Sequence, residues 1–293
     1  MKVAVILNPT AGQGKPGASM EKIEHSLNRQ GINCELFLTE SPGDGEHLAR
    51  AAAEKEYDLI IAAGGDGTVN EVVNGLVGTG AKLGILPVGS VNVLARELRI
   101  PLDLQGAVKN LVEGTAKLID LGRANDRYFS LMAGFGFDAE VVANVIKPIK
   151  EMIGTSAYVL SGLETLATYK ATDIVLEMSN QIYSMPAYMV IVCNVATYAY
   201  SLKIAPTAIP DDGIFDVCVF GRPITDKLGF IHLVADIFMK RHLDHDEVKL
   251  FRTNNVTIKS SPAAMVQIDG ESFGCTPVSI SVVPKALPII VPR

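Results

Sequence analysis

The chain has 293 residues, 48% of them hydrophobic and 20% charged, with a net charge of −6. These values describe a well-buried globular protein long enough for two domains. They exclude the basic footprint of a nucleic-acid binder, so no nucleic-acid partner is expected, and they argue against broad electrostatic adhesion to an anionic membrane.

In chain order, VAVIL (3–7) predicts a strand, and a polar helix follows to about Gln30. CELFLT (34–39) predicts the second strand, with a helix to about Lys55. DLIIAA (58–63) predicts the third, with a helix from about Thr68 to Leu76. LGILPV (83–88), a helix, and KLIDLG (117–122) complete the series. Strands alternating with helices predict an α/β domain with a parallel, Rossmann-like sheet covered on both faces. After Gly122 the pattern changes: RYFSLMAGFGFDA, DIVLEM, AYMVIVCNV, GIFDVCVF, NNVTIKS, AMVQID and VSISVV read as extended segments, with helical stretches near 150–168 and 224–240. The expected fold is therefore two-domain. Residues 1–122 form the α/β domain and 123–293 a β-rich antiparallel sandwich, with the tail ALPIIVPR a candidate strand returning to the first domain.

Cys34, Cys193, Cys218 and Cys275 share no metal-ligand or redox spacing and read as reduced thiols. The start MKVAVILNPT is too short in apolar residues for a signal peptide, and MPAYMVIVCNVA is too short to span a bilayer. A cytoplasmic protein is expected, with peripheral contact at the inner membrane face as a further expectation.

Three loops rich in turn residues follow three strands of the first domain: NPTAGQGKPG, GGDGTVNE and PVGSVN. Open α/β sheets bind ligands at the carboxyl ends of their strands. Residues 12–17, GQGKPG, satisfy the dinucleotide fingerprint only formally, because Asn8, Pro9, Thr10 and Ala11 delay the first glycine. A P-loop is absent, since Pro16 follows Lys15. In Gly64-Gly65-Asp66-Gly67-Thr68 the glycines remove Cβ atoms that would hold a phosphate off the backbone, and a helix starting near Thr68 aims its N–H groups at the same place. Asp66 would repel a bare phosphate, so a divalent cation or a proton must mediate. A plain turn with Asp66 as helix cap is the competing reading. Asn70 and Glu71, together with the two neighbouring loops, favour phosphate.

GGDGTVNE, with NPTAG ahead of it and LPVGSVN behind, resembles the catalytic domain of the diacylglycerol kinase and sphingosine kinase family, most of all its soluble bacterial lipid kinases. DDG at 211–213 and IDGE at 268–271 extend the resemblance over the whole chain and separate it from NAD kinases and phosphofructokinases, which share GGDGT. The resemblance implies an ATP-dependent lipid kinase that uses Mg2+ and meets its lipid at a membrane surface, with the active site in a cleft between domains; a homodimer is allowed. It implies a nucleotide site lined by Asn8, Pro9, Thr10, Ala11, Gly12, Thr39, Gly64, Gly65, Asp66, Gly67, Thr68, Val69, Asn70 and Ser90, with Glu71 and Asn92 beside them. It places Asp269 and Glu271 where the family has its general base, and matches Asp212, with backbone oxygens of Ile209 and Ile214, to a structural magnesium loop. Where the family commonly reads GTGNDFAR, positions 89–96 read GSVNVLAR. Val93 replaces an acid, leaving Asp66 and Asp120 to hold the metal.

IDGE suits such a part physically: Asp269 projects from a strand tip and Gly270 turns the chain to bring Glu271 beside it. Paired carboxylates can separate their pKa values so that one accepts a proton near neutrality. An ordinary hairpin turn with two solvated acids is the alternative. HLDHDE (242–247) reads as a solvated loop, with His25, His47 and His232 incidental. Lys147, Lys150 and Lys170 flank IGTSAYVLSGLETLATY, a membrane-facing rim or a core helix. Two rival functions stand beside the lipid kinase. A kinase of a soluble acceptor would need polar readers in the Val-, Ile-, Met- and Phe-rich second domain, and a non-catalytic nucleotide-binding regulator draws support from Val93.

Overall fold

A computed structural model describes residues 2–12, 20–144, 164–166, 168–179, 181–199, 202–223 and 225–293. The chain divides into two units, residues 1–121 with 283–293, and residues 122–282.

The first unit runs β1 (Val3–Leu7), α1 (Met20–Arg29), β2 (Cys34–Leu38), α2 (Asp44–Glu54), β3 (Leu59–Gly64), α3 (Asp66–Leu76), β4 (Lys82–Pro87), α4 (Val93–Glu97), α5 (Leu104–Glu113) and β5 (Thr115–Ala124). Strands β2, β1, β3 and β4 lie side by side and parallel, with Val3 opposite both Cys34 and Leu59. Every residue of β1 and β3 is buried, as expected of parallel strands covered on both faces. Val5, Leu7, Ile61 and Leu86 pack against Ile23 and Leu27 of α1 and Val108 and Leu111 of α5.

Two expectations change here. The single helix expected after β4 is two, because Pro101 cannot sit in a helix interior and Asp103 caps a new helix by accepting from Gly106 N at 2.8 Å. The neighbour of β4 is not β5 but the chain's last strand, β17 (Val278–Val291), in which Ile289 lies parallel to Leu83. Leu287 and Ile289 are fully buried, whereas β5 opens on exposed Thr115 and Ala116. A slot inside the sheet needs apolar side chains, and the tail supplies them.

The second unit contains β6 (Arg127–Phe129), β7 (Met132–Gly136), α6 (Phe137–Asn144), β8 (Thr172–Met178), β9 (Gln181–Cys193), β10 (Thr197–Ala199), β11 (Leu202–Lys203), β12 (Phe215–Gly221), α7 (Lys227–Phe238), β13 (Val248–Thr253), β14 (Asn255–Ser261), β15 (Met265–Ile268) and β16 (Glu271–Cys275). Its ladders are antiparallel: β16, β15, β7, β9, β8 and β14 follow one another, β14 pairs with residues 278–281 of β17, and β12 joins β9 and β13. Phe129, Phe135, Phe215, Val190 and Val266 centre its core. The FDA stretch expected as strand opens α6, because Gly136 at φ +77° turns the chain out of β7.

Most of the helical stretch expected near 150–168, with Lys147 and Lys150, lies outside the described residues. Helix α7 answers the one expected near 224–240. Phe230, Leu233 and Ile237 anchor it to the core, while Leu228, Ile231, Phe238 and Met239 are exposed. Among the described residues no helix is long and apolar enough to cross a membrane.

Candidate functional site

In the first unit three loops converge on the start of α3, which begins two residues earlier than the pattern from Thr68 implies. Gly65 occupies the N-cap and brings no capping side chain. The first-turn amides and the positive dipole end of this 11-residue helix therefore suit an anion. Gly89 N donates to Gly64 O at 3.2 Å, laying the loop after β4 on the loop after β3. That contact leaves no space for a side chain at Gly89, and Thr68 leaves none at Gly64. A Cβ at Gly89 would fall 2.3 Å from Gly65 Cα, and one at Gly64 would fall 2.4 Å from Thr68 Oγ1.

The first loop joins them through Asn8. Its backbone N donates to Ala63 O at 3.0 Å, its Nδ2 donates to Thr68 Oγ1 at 3.2 Å, and its Oδ1 accepts from Thr10 N and Thr10 Oγ1. Asn92, held at φ +53°, donates from Nδ2 to Pro87 O at 3.0 Å and Gly89 O at 2.9 Å. Its Oδ1 is a buried acceptor with no hydrogen-bond partner among the described residues. Asp66 Oδ1 accepts from Leu94 N at 3.4 Å. Pro9, Thr10 and Ser90 are exposed at this edge, Ala11, Gly12, Gly67 and Thr39 are half-buried, and Thr39 N donates to Leu7 O.

Three residues read beside the nucleotide have other positions. Val69 and Asn70 are buried beneath the turn, where Asn70 O and Oδ1 accept from Asn74 Nδ2. Glu71 faces α2: its two oxygens accept from Gly43 N and Gly45 N, each at 2.9 Å. It supplies the acidic cap that Gly43 cannot.

Asp120 is fully buried and its Oδ1 accepts from Lys285 N at 2.7 Å, tying β5 to β17. Among the described residues no cluster of three or more His, Cys, Asp or Glu is placed to hold a metal ion.

In the second unit the IDGE segment is a two-residue hairpin: Ile268 pairs with Glu271, and both Asp269 (φ +48°) and Gly270 (φ +85°) lie in the left-handed region, the requirement of a type I′ turn. The Asp269 carboxylate accepts from four donors, Ser130 N at 2.9 Å, Ser130 Oγ at 3.1 Å, Leu131 N at 3.0 Å and Met132 N at 2.9 Å. Glu271 is exposed.

Behind the turn lies a group the sequence reading missed. Gln267 Oε1 accepts from Gly270 N at 2.7 Å, Gln267 Nε2 donates to Asp138 Oδ2 at 2.7 Å, and the Tyr198 hydroxyl donates to Asp138 Oδ1. Burial pushes the Asp138 carboxyl up, and the Tyr198 and Gln267 bonds pull it partly back. Gly134 makes room, since a Cβ there would fall 1.7 Å from Asp138 Oδ2. One signal was available: Gln267 and Asp138 are polar residues inside otherwise apolar runs.

The expected magnesium loop is otherwise engaged. Asp212 Oδ1 accepts from Ile214 N at 3.1 Å, its Oδ2 is paired with Arg252, and Arg252 Nε also donates to buried Asp216 at 3.0 Å. Arg252 thus bridges two carboxylates, those of Asp212 and Asp216, and the Ile209 side chain is exposed. HLDHDE is not wholly solvated either: His242 is buried with Nε2 on Ile204 O at 2.8 Å, and His245 Nε2 meets Asp236 Oδ2 at 2.6 Å. Of the four free thiols, Cys193 and Cys218 are buried, and burial pushes Cys218 up to about 12.

Residues 2–124 match the family model described as the diacylglycerol kinase catalytic domain, and residues 132–291 match a YegS C-terminal NAD kinase beta sandwich-like domain. A Staphylococcus haemolyticus protein named diacylglycerol kinase is 32% identical, over 99% of this chain and 88% of its own length. The chain belongs to the diacylglycerol kinase family. A Bacillus subtilis diacylglycerol kinase is 30% identical, over 100% of this chain and 97% of its own. Two Bacillus anthracis crystal structures share the fold, one with a TM-score of 0.83 at 27% identity, covering 99% of this chain and 95% of its own, and one of a diacylglycerol kinase with 0.76 at 23%, covering 99% and 96%. At family level this is a lipid kinase, an enzyme that phosphorylates an alcohol and uses a nucleotide. As a diacylglycerol kinase family member it departs from the usual acid at Val93, which is buried at the start of α4.

Proposed function

We propose that this lipid kinase transfers the γ-phosphate of ATP to the hydroxyl of a diacylglycerol-like, long-chain lipid. The observation that carries the nucleotide half is the capless N-terminus of α3, framed by the glycine contact between residues 65 and 89. Phosphoryl transfer needs such a cradle, a divalent cation and an acceptor for the hydroxyl proton. Mg2+ binds through one or two carboxylates plus substrate phosphates rather than in an all-protein cage. Asp66 at the helix start fits that sparse demand, with Asp120 deeper in the unit. The cation would neutralise charge on the phosphates. Asn8, Thr10, Thr39, Ser90 and Asn92 border the cradle, and the acidic turn at Asp269 and Glu271 serves the acceptor hydroxyl.

The lipid is met at a membrane surface. The exposed apolar face of α7, with Lys227 and Lys240 at its ends, supports this: an interfacial helix buries apolar side chains among the acyl chains and keeps its cations at the headgroups. Incubation with labelled ATP, Mg2+ and mixed micelles of diacylglycerol, sphingoid base or ceramide tests the reading. Label should enter the diacylglycerol fraction and depend on Mg2+. Tight ATP binding with no phosphorylated lipid from any micelle would refute it.

A further inference from the structure

Two helices of the first unit begin alike. Gly43-Asp44-Gly45 opens α2 and Gly65-Asp66-Gly67 opens α3, each with glycine at the N-cap and the acid as first helical residue. Both follow a parallel strand, so both starts lie at the carboxyl edge of the sheet. Neither N-cap residue supplies a capping side chain, and each start turns first-turn amides and a positive dipole end outward, a combination that suits an anion.

They differ in what meets those amides. At α2 the anion is Glu71, whose Oε1 and Oε2 accept from Gly43 N and Gly45 N, each at 2.9 Å. The glycines are matched to it. Gly43 sits in the left-handed region at φ +93°, and a Cβ on Gly45 would fall 2.7 Å from Glu71 Oε2. Glu71 belongs to α3, so the helix whose own start forms the proposed phosphate cradle also fills the start of its neighbour.

What Glu71 fixes is the loop 39–43 between β2 and α2. Thr39 N ties the near end to β1 by donating to Leu7 O at 3.0 Å. Asp44 Oδ2 accepts from Glu40 N and Ser41 N, each at 2.8 Å, and these amides hold its carboxyl below the usual range. The far end rests on Glu71. Lower down, Arg50 Nη2 donates to Asn74 O at 3.1 Å, and Gly75 admits α2 so closely that a Cβ there would fall 2.4 Å from Glu46 O. These contacts hold α2 on α3 independently of residue 71, so losing the carboxylate frees the loop rather than the helix. Strand β2 lies two strands from β3, about 10 Å at the usual spacing. One nucleotide laid along the sheet edge covers that distance.

We infer that Glu71 is a positioning residue of the nucleotide site: as the built-in anion of α2, it fixes the loop 39–43 as the wall against which the nucleoside end of ATP rests. The inference rests on the nucleotide reading above and requires no contact between Glu71 and the ligand.

Two variants of the full chain test it, Glu71→Ala and Glu71→Gln. Each is followed by thermal melting, by amide hydrogen exchange over residues 39–45, and by binding of Mg-ATP and of Mg-tripolyphosphate, which carries the phosphates without the nucleoside. In Glu71→Ala, exchange over 39–45 should quicken while α3 keeps its protection. Mg-ATP affinity should fall about tenfold, the scale of one hydrogen bond to a charged group, with Mg-tripolyphosphate affinity unchanged. On diacylglycerol micelles the loss should appear in KM for ATP and leave KM for the lipid unmoved. Should Glu71→Ala fail to fold, Glu71→Gln, which keeps one acceptor oxygen, reads the same split at smaller size. Equal losses for the two ligands would make Glu71 part of the phosphate cradle itself, and unchanged affinity for both would make it a helix cap without a part in binding; either overturns the inference. If the wild type binds neither ligand, the nucleotide reading fails and takes the positioning role with it. The hold on the loop is decided apart from both, since unchanged exchange over 39–45 in Glu71→Ala would overturn it.

Discussion

Gly65 and Gly89 face each other where the loops after β3 and β4 meet, the proposed nucleotide cradle, and their neighbours set different demands. A methyl group at Gly89 would meet backbone on the facing loop at 2.3 Å, whereas one at Gly65, at φ −93°, would have its nearest neighbour at 3.5 Å. Gly89→Ala should therefore lose about 1–3 kcal/mol by overpacking. Gly65→Ala should keep most of its stability but weaken nucleotide binding, because the new Cβ stands where a phosphate approaches the amides. Thermal shifts with and without Mg-ATP separate the two; equal losses in both variants would contradict it. Asp138 gives a second residue-scale test. Its carboxyl is raised by burial, so the fold favours the neutral form. That contribution is present below the unfolded-state value and is lost as pH rises through the folded-state value. Melting temperature should fall across that acidic window, and Asp138→Asn should flatten the slope. An unchanged slope would mean that Asp138 does not titrate there. These residues also show what could be read in advance. GGDGT and IDGE stand out because glycine beside an acid is costly to explain as ordinary core. Asp138 and Gln267 stay hidden because their partners are 129 residues apart, and no local spacing records such a pairing.

Elements were legible where one environment covers their whole length. Strands β1, β3 and β12 are buried throughout and read as unbroken apolar runs. Strand β16 did not, since ESFGC is largely exposed and held by its hairpin rather than by side-chain burial. Nor did β13, whose VKLFRT follows a polar loop and is only partly buried. The order of β5 and β17 was hidden for another reason: a strand's place in a sheet is set by pairing, which periodicity does not encode. Helix α7 was found by pattern, but its exposed face only emerges from the coordinates. Leu228, Ile231, Phe238 and Met239 recur at helical spacing opposite the core anchors, so all four project together. Phe238→Glu together with Leu228→Glu should reduce co-sedimentation with diacylglycerol vesicles and raise KM for lipid in vesicles. ATP binding and melting temperature should stay near wild type, because neither residue is packed. Undiminished vesicle binding would remove α7 as the membrane contact and leave the transfer chemistry untouched.

At the scale of the whole molecule, β17 contributes residues to both units. Its first residues pair with β14 in one unit, and Ile289 pairs with Leu83 in the other. Two further bonds fasten the second half to the first unit, Lys285 N to Asp120 and Asn110 Nδ2 to Ile290 O at 3.2 Å. The α/β unit thus closes its sheet with a strand made about 160 residues after its other elements, a contact of high sequence separation that must wait for the loop between to be ordered. Ile289 has no exposed surface. Replacing it with alanine should cost about 2–5 kcal/mol, the range for emptying a large aliphatic side chain from a core. If the units open separately, that loss falls on the first alone. Amide hydrogen exchange in Ile289→Ala should then quicken across β1, β3 and β4, while β9 and β12 keep wild-type protection. Mg-ATP should restore part of the lost protection, since a ligand bound only to the folded unit stabilises it by mass action. A uniform acceleration in both units would instead show that β17 couples them into one cooperative structure.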